Sequence, residues 1–497
     1  MSTTTSSLVE QGAEVSPGRA PQVEAGKLVA VMEQEMQKYL QSVMAAVNNA
    51  PDGAWLAGSE EQVRDLSAEF RRRVFEQAVQ MRIDAAEAAF SPPHNPATGK
   101  RLANKGQQRH GVLTINGRVA LRRRWWHSSD TGSLAPADEF IDPQGETVTP
   151  GVRELACREN RAVGSFDTAA ENLARTAQIK MCGEQLRQIV LGEGRRVQAA
   201  QQAATLPTAW TAKDCLVPEE GRELPGKTRV YMGTDGVMVP IITQTEKEKR
   251  RTKVKQKRKK CGKKCRPLPP AKKGADKSWK EFKVVFFYSE DNEHQHVSAT
   301  HRNHIAAGQL VRREADRLGF RQASERIANV DGAPWIREQL TYHLAELDGL
   351  GLDFYHLSEN VHRARRKVYG EESAEGQTWA AELMHCFKHE GYEAAWERLV
   401  PWRAKWNRSP KKKAAAQTLL NFVSDRREMI CYPQFREQGW QIGSGPTEAQ
   451  CKLTVSRLKG RGRRWDRPNA SAIAALDCLH RSGQWSTYFP TPSPAAA

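Results

Sequence analysis

From Arg229 onwards the chain alternates short β-prone runs with helical patterns, and this alternation limits the possible fold more than any other feature of the sequence. Three β-prone runs come first: "RVYMGTDGVMVPI", which is one long strand or a strand pair, "FKVVFFYSE" and "HQHVSAT". A helix over His304–Leu318, the buried strand "RIANVD", a helix from Pro334 and the strand-to-helix joint "GLDFYHLSENVH" follow. This order predicts a mixed α/β sheet.

The region before residue 205 is predicted to be mostly helical, with one β-hairpin. Asn116-Gly117 between two β-prone runs is a strong hairpin signal. Ser165 is a candidate N-cap, and the two helical patterns after it predict a helix-turn-helix whose second helix presents Arg187 to a DNA groove. Any helical hairpin gives the same pattern, so a purely structural helix pair is the alternative.

The formal net charge of +18 indicates a polyanionic partner, with nucleic acid first. Between residues 247 and 273, fifteen Lys and Arg stand against one acid, Glu248. Prolines and the lack of apolar periodicity predict an exposed, mobile loop over 244–276, which interrupts the sheet between its first two strands. Two interpretations of this basic segment stay open: it is a phosphate-binding arm, or it is a solvated face or a localisation tag. Its candidate DNA contacts are Lys257, Arg258, Lys259 and Lys260.

Two carboxylates stand out because each ends a β-prone run and precedes a glycine: Asp235 and Asp331. Asp-Gly is an ordinary turn dipeptide, so each aspartate alone has a structural explanation. At the carboxyl ends of neighbouring strands, however, such groups converge on one crevice. Two carboxylates there repel each other unless a cation neutralises them, and Mg²⁺ prefers carboxylate oxygens. Two such ions support phosphoryl transfer, so the pair predicts metal-dependent catalysis.

A third carboxylate, Glu448, lies in "QIGSGPTEAQCK", in the predicted first turn of a helix. It either complements the helix dipole or completes the metal site. Lys452, one turn later, either pairs with Glu448 or contacts a phosphate. The basic run "RLKGRGRRWDR" follows, and its tryptophan either stacks on DNA or packs in the core. The candidate DNA contacts of this run are Arg457, Lys459, Arg461, Arg463, Arg464 and Trp465.

Four motifs together resemble the DDE transposases of bacterial insertion sequences, most closely the Kra-type group, which is related to mutator-like transposases. The motifs are "TDG", "NVDGAPWI", "LDFYHLSE" and "IGSGPTEAQCK…RLKGRGRRW", and they run from about Tyr231 to Trp465. The resemblance implies an RNase H-like catalytic domain with a helical insertion. It also implies that Asp235, Asp331 and Glu448 are the catalytic triad and bind two Mg²⁺ ions, with Mn²⁺ as a substitute. The implied reaction is cleavage at element ends and strand transfer into target DNA.

The resemblance also bears on partners and on two further residues. Asp353 and His356 match a D-x-x-H element of mutator-like relatives, which implies a place near the active site. From the residues alone, Asp353 is a strand-end polar group and His356 a satisfied structural histidine. The implied partners are double-stranded DNA, as terminal inverted repeats and as target, and further copies of the chain in a homodimer or higher synaptic assembly. The alternatives are an RNase H-like nuclease without strand transfer and a domesticated DNA-binding regulator.

Cysteine usage and hydropathy give expectations about zinc and compartment. Nine cysteines, mostly scattered singly, favour a reducing compartment. Relatives often carry a zinc-ribbon-like segment, but residues 101–151 contain no cysteine, so zinc is not expected. Cys261 and Cys265 with His294 and His296 are a weaker zinc alternative. No apolar run approaches the roughly 20 residues of a membrane span and no signal-peptide pattern is present, so we expect a cytoplasmic, nucleoid-associated bacterial protein with no membrane partner.

The predicted fold class is α/β, with a mostly helical region before the catalytic core. The predicted order is a disordered tail (1–26), a helical N-terminal region (27–100), a β-hairpin region of degenerate zinc-ribbon type (101–150), a helix-turn-helix domain (151–205), an RNase H-like core (225–368) with the basic loop (244–276), a helical insertion (369–440), and the C-terminal part of the core with Glu448 and a basic tail (441–497).

Overall fold

The computed structural model describes residues 25–95, 97–142, 145–217, 226–262 and 266–490, so most of the predicted tail and Cys265 lie outside the described residues. The chain divides into two compact units, Met1–Val190 and Leu191–Ala497. This division falls inside the predicted helix-turn-helix domain at 151–205 and not at its end.

Unit 1 contains helices and a small antiparallel sheet. Its elements are α1 (Ala25–Asn48), α2 (Trp55–Ala89), β1 (Ala103–Thr114), β2 (Gly117–Ser128), β3 (Gly132–Leu134), α3 (Asp138–Ile141), α4 (Pro150–Val163), α5 (Phe166–Thr176) and the first part of α6 (Gly183–Gln202). β1 and β2 are antiparallel neighbours, which confirms the predicted hairpin. Gly117 opens β2 with φ +104°, a conformation that glycine adopts without a steric cost.

The helix pair α5–α6 begins where the sequence predicts. The Ser165 side chain accepts a hydrogen bond from the Thr168 N–H at 3.2 Å, which confirms the N-cap. A Cβ built on Gly183 would lie 1.8 Å from Asp167 Oδ1, so the two helix starts approach closely only because residue 183 is glycine. This geometry gives a helical pair with a tight joint, and its DNA-reading role stays a prediction.

Unit 2 is built on a five-stranded mixed sheet among its described residues, as predicted. Its strands are β4 (Arg229–Pro240), β5 (Trp279–Ser289), β6 (Gln295–Thr300), β7 (Glu325–Val330) and β8 (Gly349–Leu352), in the order β6-β5-β4-β7-β8. β5 and β6 run antiparallel to their neighbours, whereas β4, β7 and β8 are parallel to one another. After β4, the next two strands in the chain, β5 and β6, lie on one side of it, and the last two, β7 and β8, lie on the other side.

Asp235 does not end its strand as the sequence suggested. β4 is one long strand that pairs with β5 as far as Pro240, because an antiparallel partner continues beside it. The parallel pairing of β4 with β7 stops earlier, at Met232. Asp235 therefore lies inside β4 but beyond the end of its parallel pairing.

Helices cover both faces of this sheet. The helices of unit 2 after α6 are α7 (Gln244–Lys260), which contains no buried residue, α8 (His304–Leu318), α9 (Pro334–His343), α10 (Phe354–Tyr369), α11 (Ala374–His389), α12 (Tyr392–Ala404), α13 (Pro410–Ser424), α14 (Tyr432–Glu437), α15 (Gly445–Val455), α16 (Arg467–Arg481) and α17 (Trp485–Tyr488). Met232 packs in a core with α8–α13, whereas its neighbour Tyr231 packs on the opposite face with residues of α15 and α16. None of the described helices combines the length and the apolar character that crossing a bilayer requires.

The basic segment forms helix α7, so the prediction of a mobile loop over 244–276 is wrong for this part. Thr243 and Glu246 form a capping box at its start. The helix contains no glycine or proline, and its Lys, Arg, Gln and Glu residues have high helix propensity. An exposed helix needs no apolar stripe, so hydrophobic periodicity gave no signal for it.

Backbone hydrogen bonds join the two ends of the insertion between β4 and β5, which covers residues 244–276 and includes α7. The Gln244 N–H donates to the Ala275 carbonyl at 3.0 Å, and the Ala275 N–H donates to the Ile242 carbonyl at 3.1 Å. The two ends of the insertion are therefore held together directly beside the sheet, between β4 and β5.

Gly233→Ala should lower the thermal unfolding midpoint by roughly 2–10 °C, because a Cβ there would lie 1.9 Å from Thr447 Oγ1 and force α15 away from β4. The measurement is calorimetric or spectroscopic melting of the full chain. Gly192→Ala is the matched control, since its Cβ would meet no atom within 4 Å. Equal melting of both variants would contradict the close packing of α15 on β4.

Candidate active site

The register of the parallel strands brings three aspartates to one level of the sheet. Asp235 and Asp331 each lie three residues beyond the last residue pair that β4 and β7 share. Asp331 and Asp353 directly follow the last paired residues of β7 and β8. The three carboxylates therefore lie on neighbouring parallel strands, Asp331 and Asp353 just after the ends of β7 and β8 and Asp235 inside β4, beyond its last pair with β7.

The first two aspartates also share a face of the sheet, because side chains alternate along a strand. Tyr231 and Ile327, four residues before Asp235 and Asp331, pack in the core beneath α15 and α16. The aspartates flank the line between β4 and β7, where the chain switches from one side of the sheet to the other. In open α/β sheets this switch point is where ligands bind.

Glu448 comes to this face from the first turn of α15, as predicted. Its Oε1 lies 4.0 Å from His356 Nδ1, and its Oε2 accepts a hydrogen bond from Lys452 Nζ at 3.4 Å. Ser444 caps the helix through its backbone carbonyl, which accepts from the Glu448 N–H at 3.0 Å. The Glu448 carboxylate is therefore directed at His356 and Lys452.

Asp353 is fully buried and joins the starts of two helices. Its Oδ1 accepts from the Ser444 N–H at 2.7 Å, at the start of α15. Its Oδ2 accepts from the His356 N–H at 3.1 Å and is 2.7 Å from His356 Nδ1, at the start of α10. One carboxylate thus holds both the helix that carries Glu448 and the histidine beside it.

The charges of the cluster act on one another. Burial raises the pKa of Asp235, and the negative charges of Asp331 and Glu448 raise it further, against a hydrogen bond from the Gly236 N–H. The hydrogen bond to Asp353 raises the pKa of His356 to about 9, with Asp331 and Glu448 adding to the rise and burial opposing it. At neutral pH a protonated His356 therefore lies among the carboxylates.

Burial also acts on Asp353, but here the hydrogen bonds decide the outcome. Burial alone would raise the pKa of Asp353, whereas the bonds from the His356 side chain and from the two backbone N–H groups bring it below its usual value. Asp353 is therefore ionised, as its bond to a protonated His356 requires.

Ligand atoms of Asp353, His356 and Glu448 lie within 4.8 Å of one another, close enough to hold an ion. Both oxygens of Asp353, however, already accept hydrogen bonds. Asp235 and Asp331 each use Oδ1 for a backbone N–H, of Gly236 and Ala333 respectively. Asp235 and Asp331 therefore each have a second oxygen, Oδ2, that could bind a cation, whereas Asp353 is better suited to orienting its neighbours.

One neighbour of Asp331 was not predicted from the sequence. A Cβ built on Gly332 would lie 2.7 Å from Arg426 Nε, and Gly332 has φ +71°. Burial lowers the pKa of Arg426, and the nearby Arg337 lowers it further, whereas Asp331 opposes this. No local pattern signals this contact, because the two residues are 94 positions apart and meet only in the folded chain.

The predicted DNA contacts after Glu448 have mixed surroundings. Arg457 is half-buried and pairs with the buried Asp477 at 3.4 Å, and its role in DNA binding stays a prediction. Trp465 is half-buried, and its Nε1 donates to the Leu458 carbonyl at 3.0 Å. Lys452 is 78% exposed and forms the ion pair that was one of its two predicted roles. The others are Lys459 and Arg461, which are exposed, Arg463, which donates to the Arg457 carbonyl, and Arg464, which pairs with Glu246.

The two basic segments adjoin each other. Glu246 at the start of α7 pairs with Arg464, and Lys247 pairs with Asp466. Ile241 also forms a β-bridge with Trp465. Of the predicted contacts on α7, Lys257, Lys259 and Lys260 are exposed, and Arg258 donates to the Arg266 carbonyl at 2.6 Å. The start of α7 therefore adjoins the basic segment after Glu448, a proximity that the sequence did not indicate.

The remaining predicted residues lie elsewhere. Arg187 pairs with Glu184 at 2.6 Å on the exposed surface of α6. Of the proposed zinc ligands, Cys261 is exposed at the end of α7, whereas His296 is buried and bonded to Glu314 at 2.9 Å. His296 is thus engaged inside the fold, and no candidate metal cluster in the described ranges includes a cysteine.

Comparison with known proteins adds little to this geometry. No protein-family model matches the chain, and no curated protein matches it. A solved structure entitled "Drosophila P element transposase strand transfer complex" aligns over 70% of this chain and 83% of its own, with 8% sequence identity and a TM-score of 0.22. A likeness of that size carries no argument about fold or function.

Asp353→Asn should return the pKa of His356 from about 9 towards its ordinary value near 6.5, because the carboxylate that stabilises the imidazolium is removed. In the wild type the pKa of His356 is higher in the folded state than in the unfolded state, so protonation of His356 stabilises the fold. That contribution to the free energy of unfolding is complete below about pH 6.5 and is lost as the pH rises through about 9. NMR titration of histidine-labelled protein measures both forms, with the His356→Gln variant assigning the resonance.

His362 on the same helix is the internal control, because burial and not Asp353 sets the direction of its shift. Its titration should be the same in both proteins. A wild-type His356 that titrates near 6.5 would show that the bond to Asp353 does not hold the proton.

Proposed function

We propose that this chain is a DNA transposase of the DDE type, of the Kra-type group of bacterial insertion sequences, with an RNase H-like catalytic unit. The observation that carries the proposal is the convergence of Asp235, Asp331 and Glu448 at one edge of the sheet, where burial and, after it, the charges of Asp331 and Glu448 raise the pKa of Asp235. Asp235 and Asp331 lie just beyond the parallel pairing of β4 with β7, and Glu448 lies on α15, which packs against β4. Such a cluster of like charges is costly unless a cation binds it.

The donor set fits magnesium. All three side chains offer carboxylate oxygens, which are hard ligands suited to Mg²⁺ and also to Mn²⁺. When bound, two such ions would activate the attacking water or hydroxyl and stabilise the leaving oxygen in phosphoryl transfer. Asp235, Asp331 and Glu448 would hold them. Zinc is not favoured, because the three proposed ligands are all carboxylates and include neither a thiolate nor an imidazole.

Neighbouring residues of this chain support the same chemistry. The buried carboxylate of Asp353 holds the start of α15 through Ser444 and so fixes the direction of Glu448. Protonated His356 and exposed Lys452 place positive charge beside Glu448, where a phosphate group would lie. These contacts orient the third carboxylate and attract the negatively charged backbone of DNA.

The basic surfaces suit a double-stranded DNA partner. Helix α7 carries ten Lys and Arg against two acids, and its start adjoins the basic segment that follows Glu448. Terminal inverted repeats and target DNA are the proposed ligands, with the α5–α6 pair of unit 1 as the sequence reader. A homodimer or higher synaptic assembly would hold two element ends, and the setting would be the bacterial nucleoid in the cytoplasm.

Asp235→Asn, Asp331→Asn and Glu448→Gln should each abolish Mg²⁺-dependent cleavage of a plasmid that carries the gene with its native flanks. Each change removes one ligand charge while keeping side-chain volume, so DNA binding in EDTA should stay at the wild-type level. Sequencing of the cut and joined products measures cleavage and strand transfer, and fluorescence anisotropy measures binding.

Glu359→Gln is the matched control, since Glu359 is an exposed acid on α10 outside the cluster. Normal cutting by Glu448→Gln would remove Glu448 from the site. Cut ends without joined products would favour the nuclease, and DNA binding without any cleavage by the wild-type protein would favour the regulator.

A triple variant of α7, with Lys257, Lys259 and Lys260 changed to Gln, should bind any duplex less tightly and with a flatter salt dependence. The slope of log affinity against log salt should fall by roughly 0.9 for each phosphate that the variant no longer neutralises. Anisotropy titrations of a random-sequence duplex over a range of salt concentrations measure it.

The control triple variant changes Lys388, Arg398 and Arg436 to Gln, which removes the same charge from α11, α12 and α14. Arg398 pairs with Glu390 and Arg436 with His389, so these cations are already partnered on the surface. If the two variants have the same salt slope, α7 acts only through net charge.

A further inference from the structure

The connection between α12 and α13 carries a second concentration of positive charge, at residues 403–413, here called the basic turn. It contains six cations and no acid. Three are exposed and three are half-buried. They are Arg403, Lys405, Arg408, Lys411, Lys412 and Lys413.

Internal charge pairing does not explain these cations. In the described residues none of the six forms an ion pair with a carboxylate. Arg403 donates to neutral partners, Gln417 at 2.9 Å and Asn407 at 3.2 Å. Acids in the neighbouring α10–α11 connection do not pair with the turn either, and Glu371 lies 3.9 Å from Arg366 instead.

Helix stability does not explain them either. Lys411, Lys412 and Lys413 occupy the first turn of α13, which contains no acid. Cations at that end of a helix are opposed by the helix dipole, so stability alone favours acids there. A feature that breaks a local rule without a compensating interaction is expected where function requires it.

The turn is held in place by packing. Trp406 meets the Tyr369 ring edge to face, with ring centroids 5.6 Å apart. The Lys412 ammonium lies 4.6 Å from the centroid of the Trp406 ring. The Ser409 N–H donates to the Trp406 carbonyl at 3.0 Å. The cations are therefore presented from a packed support.

Helix α13 connects the basic turn to the carboxylates. Just beyond its other end, Arg426 meets Gly332, next to Asp331, and the Asp425 carbonyl accepts a hydrogen bond from Arg337. The 15 residues of α13, at about 1.5 Å each, span roughly 22 Å. B-form DNA rises about 3.4 Å per base pair, so this span equals about six base pairs.

We propose that the basic turn binds the phosphate backbone of duplex DNA about six base pairs from the phosphate at the carboxylate cluster. The inference rests on the proposed function for the identity of the cluster, while the binding itself needs no catalysis. The turn and the cluster then hold one duplex at opposite ends of α13.

The test is a triple variant with Lys405, Arg408 and Lys411 changed to Gln, compared with the control triple variant at Lys388, Arg398 and Arg436. These three residues of the turn are exposed, so the fold should melt as in the wild type. Binding of a random-sequence duplex in EDTA should weaken, and its salt slope should fall by up to roughly 2.7, because three phosphates are no longer neutralised. The control variant should keep the wild-type slope.

Hydroxyl-radical footprinting on a duplex with a mapped cut then locates the bound phosphates. Protection about six base pairs from the cut phosphate should be present in the wild type and absent in the variant. A wild-type salt slope in the variant, or equal reductions in both variants, would overturn the proposal. Preference for anionic lipid vesicles over duplex DNA would overturn it as well. The salt slope is measured without Mg²⁺ and so does not depend on catalysis. Failure of the wild-type protein to cleave DNA would therefore count against the proposed function and not against phosphate binding by the basic turn.

Discussion

The buried carboxylate of Asp353 is the group on which the arrangement of the site depends. It accepts hydrogen bonds from the start of α15 and from His356 on α10, two segments about 90 residues apart in the chain. A buried charge is tolerated only when it is fully bonded, so these bonds cannot be given up one at a time without a large cost. The position of Glu448 is therefore tied to the end of β8 and not only to the packing of its own helix.

The parallel register of the sheet supplies the second constraint. In neighbouring parallel strands that keep one register, residues at the same distance beyond a paired position lie side by side. Asp235, Asp331 and Asp353 are therefore at one level of the sheet. Close approach of the helix layer then needs small residues, and Gly233 has no room for a Cβ beneath Thr447. The carboxylates lie together at this edge because the strand register aligns the aspartates and the packing of α15 on β4 brings Glu448 beside them.

Local patterns in the sequence predicted the parts of this fold that local chemistry determines. The helix at His304–Leu318, the Ser165 cap and the position of Glu448 in a first helical turn all follow from periodicity and capping residues. Helix α7 was missed because an exposed basic helix has no apolar stripe, although its capping box was readable. The pairing of Arg457 with the buried Asp477, 20 residues later, depends on tertiary packing that no local pattern encodes.

The closed base of the insertion between β4 and β5 has a consequence for how such a chain can diverge. Because Gln244, Ala275 and Ile242 join the two ends of the insertion beside the sheet, its length and charge can change without moving the strands on either side. Under the proposed function, selection can then tune how firmly the chain holds nucleic acid while the carboxylates keep their places. The charge of the insertion and the position of Asp235 are thus encoded in separately variable parts of the β4–β5 hairpin.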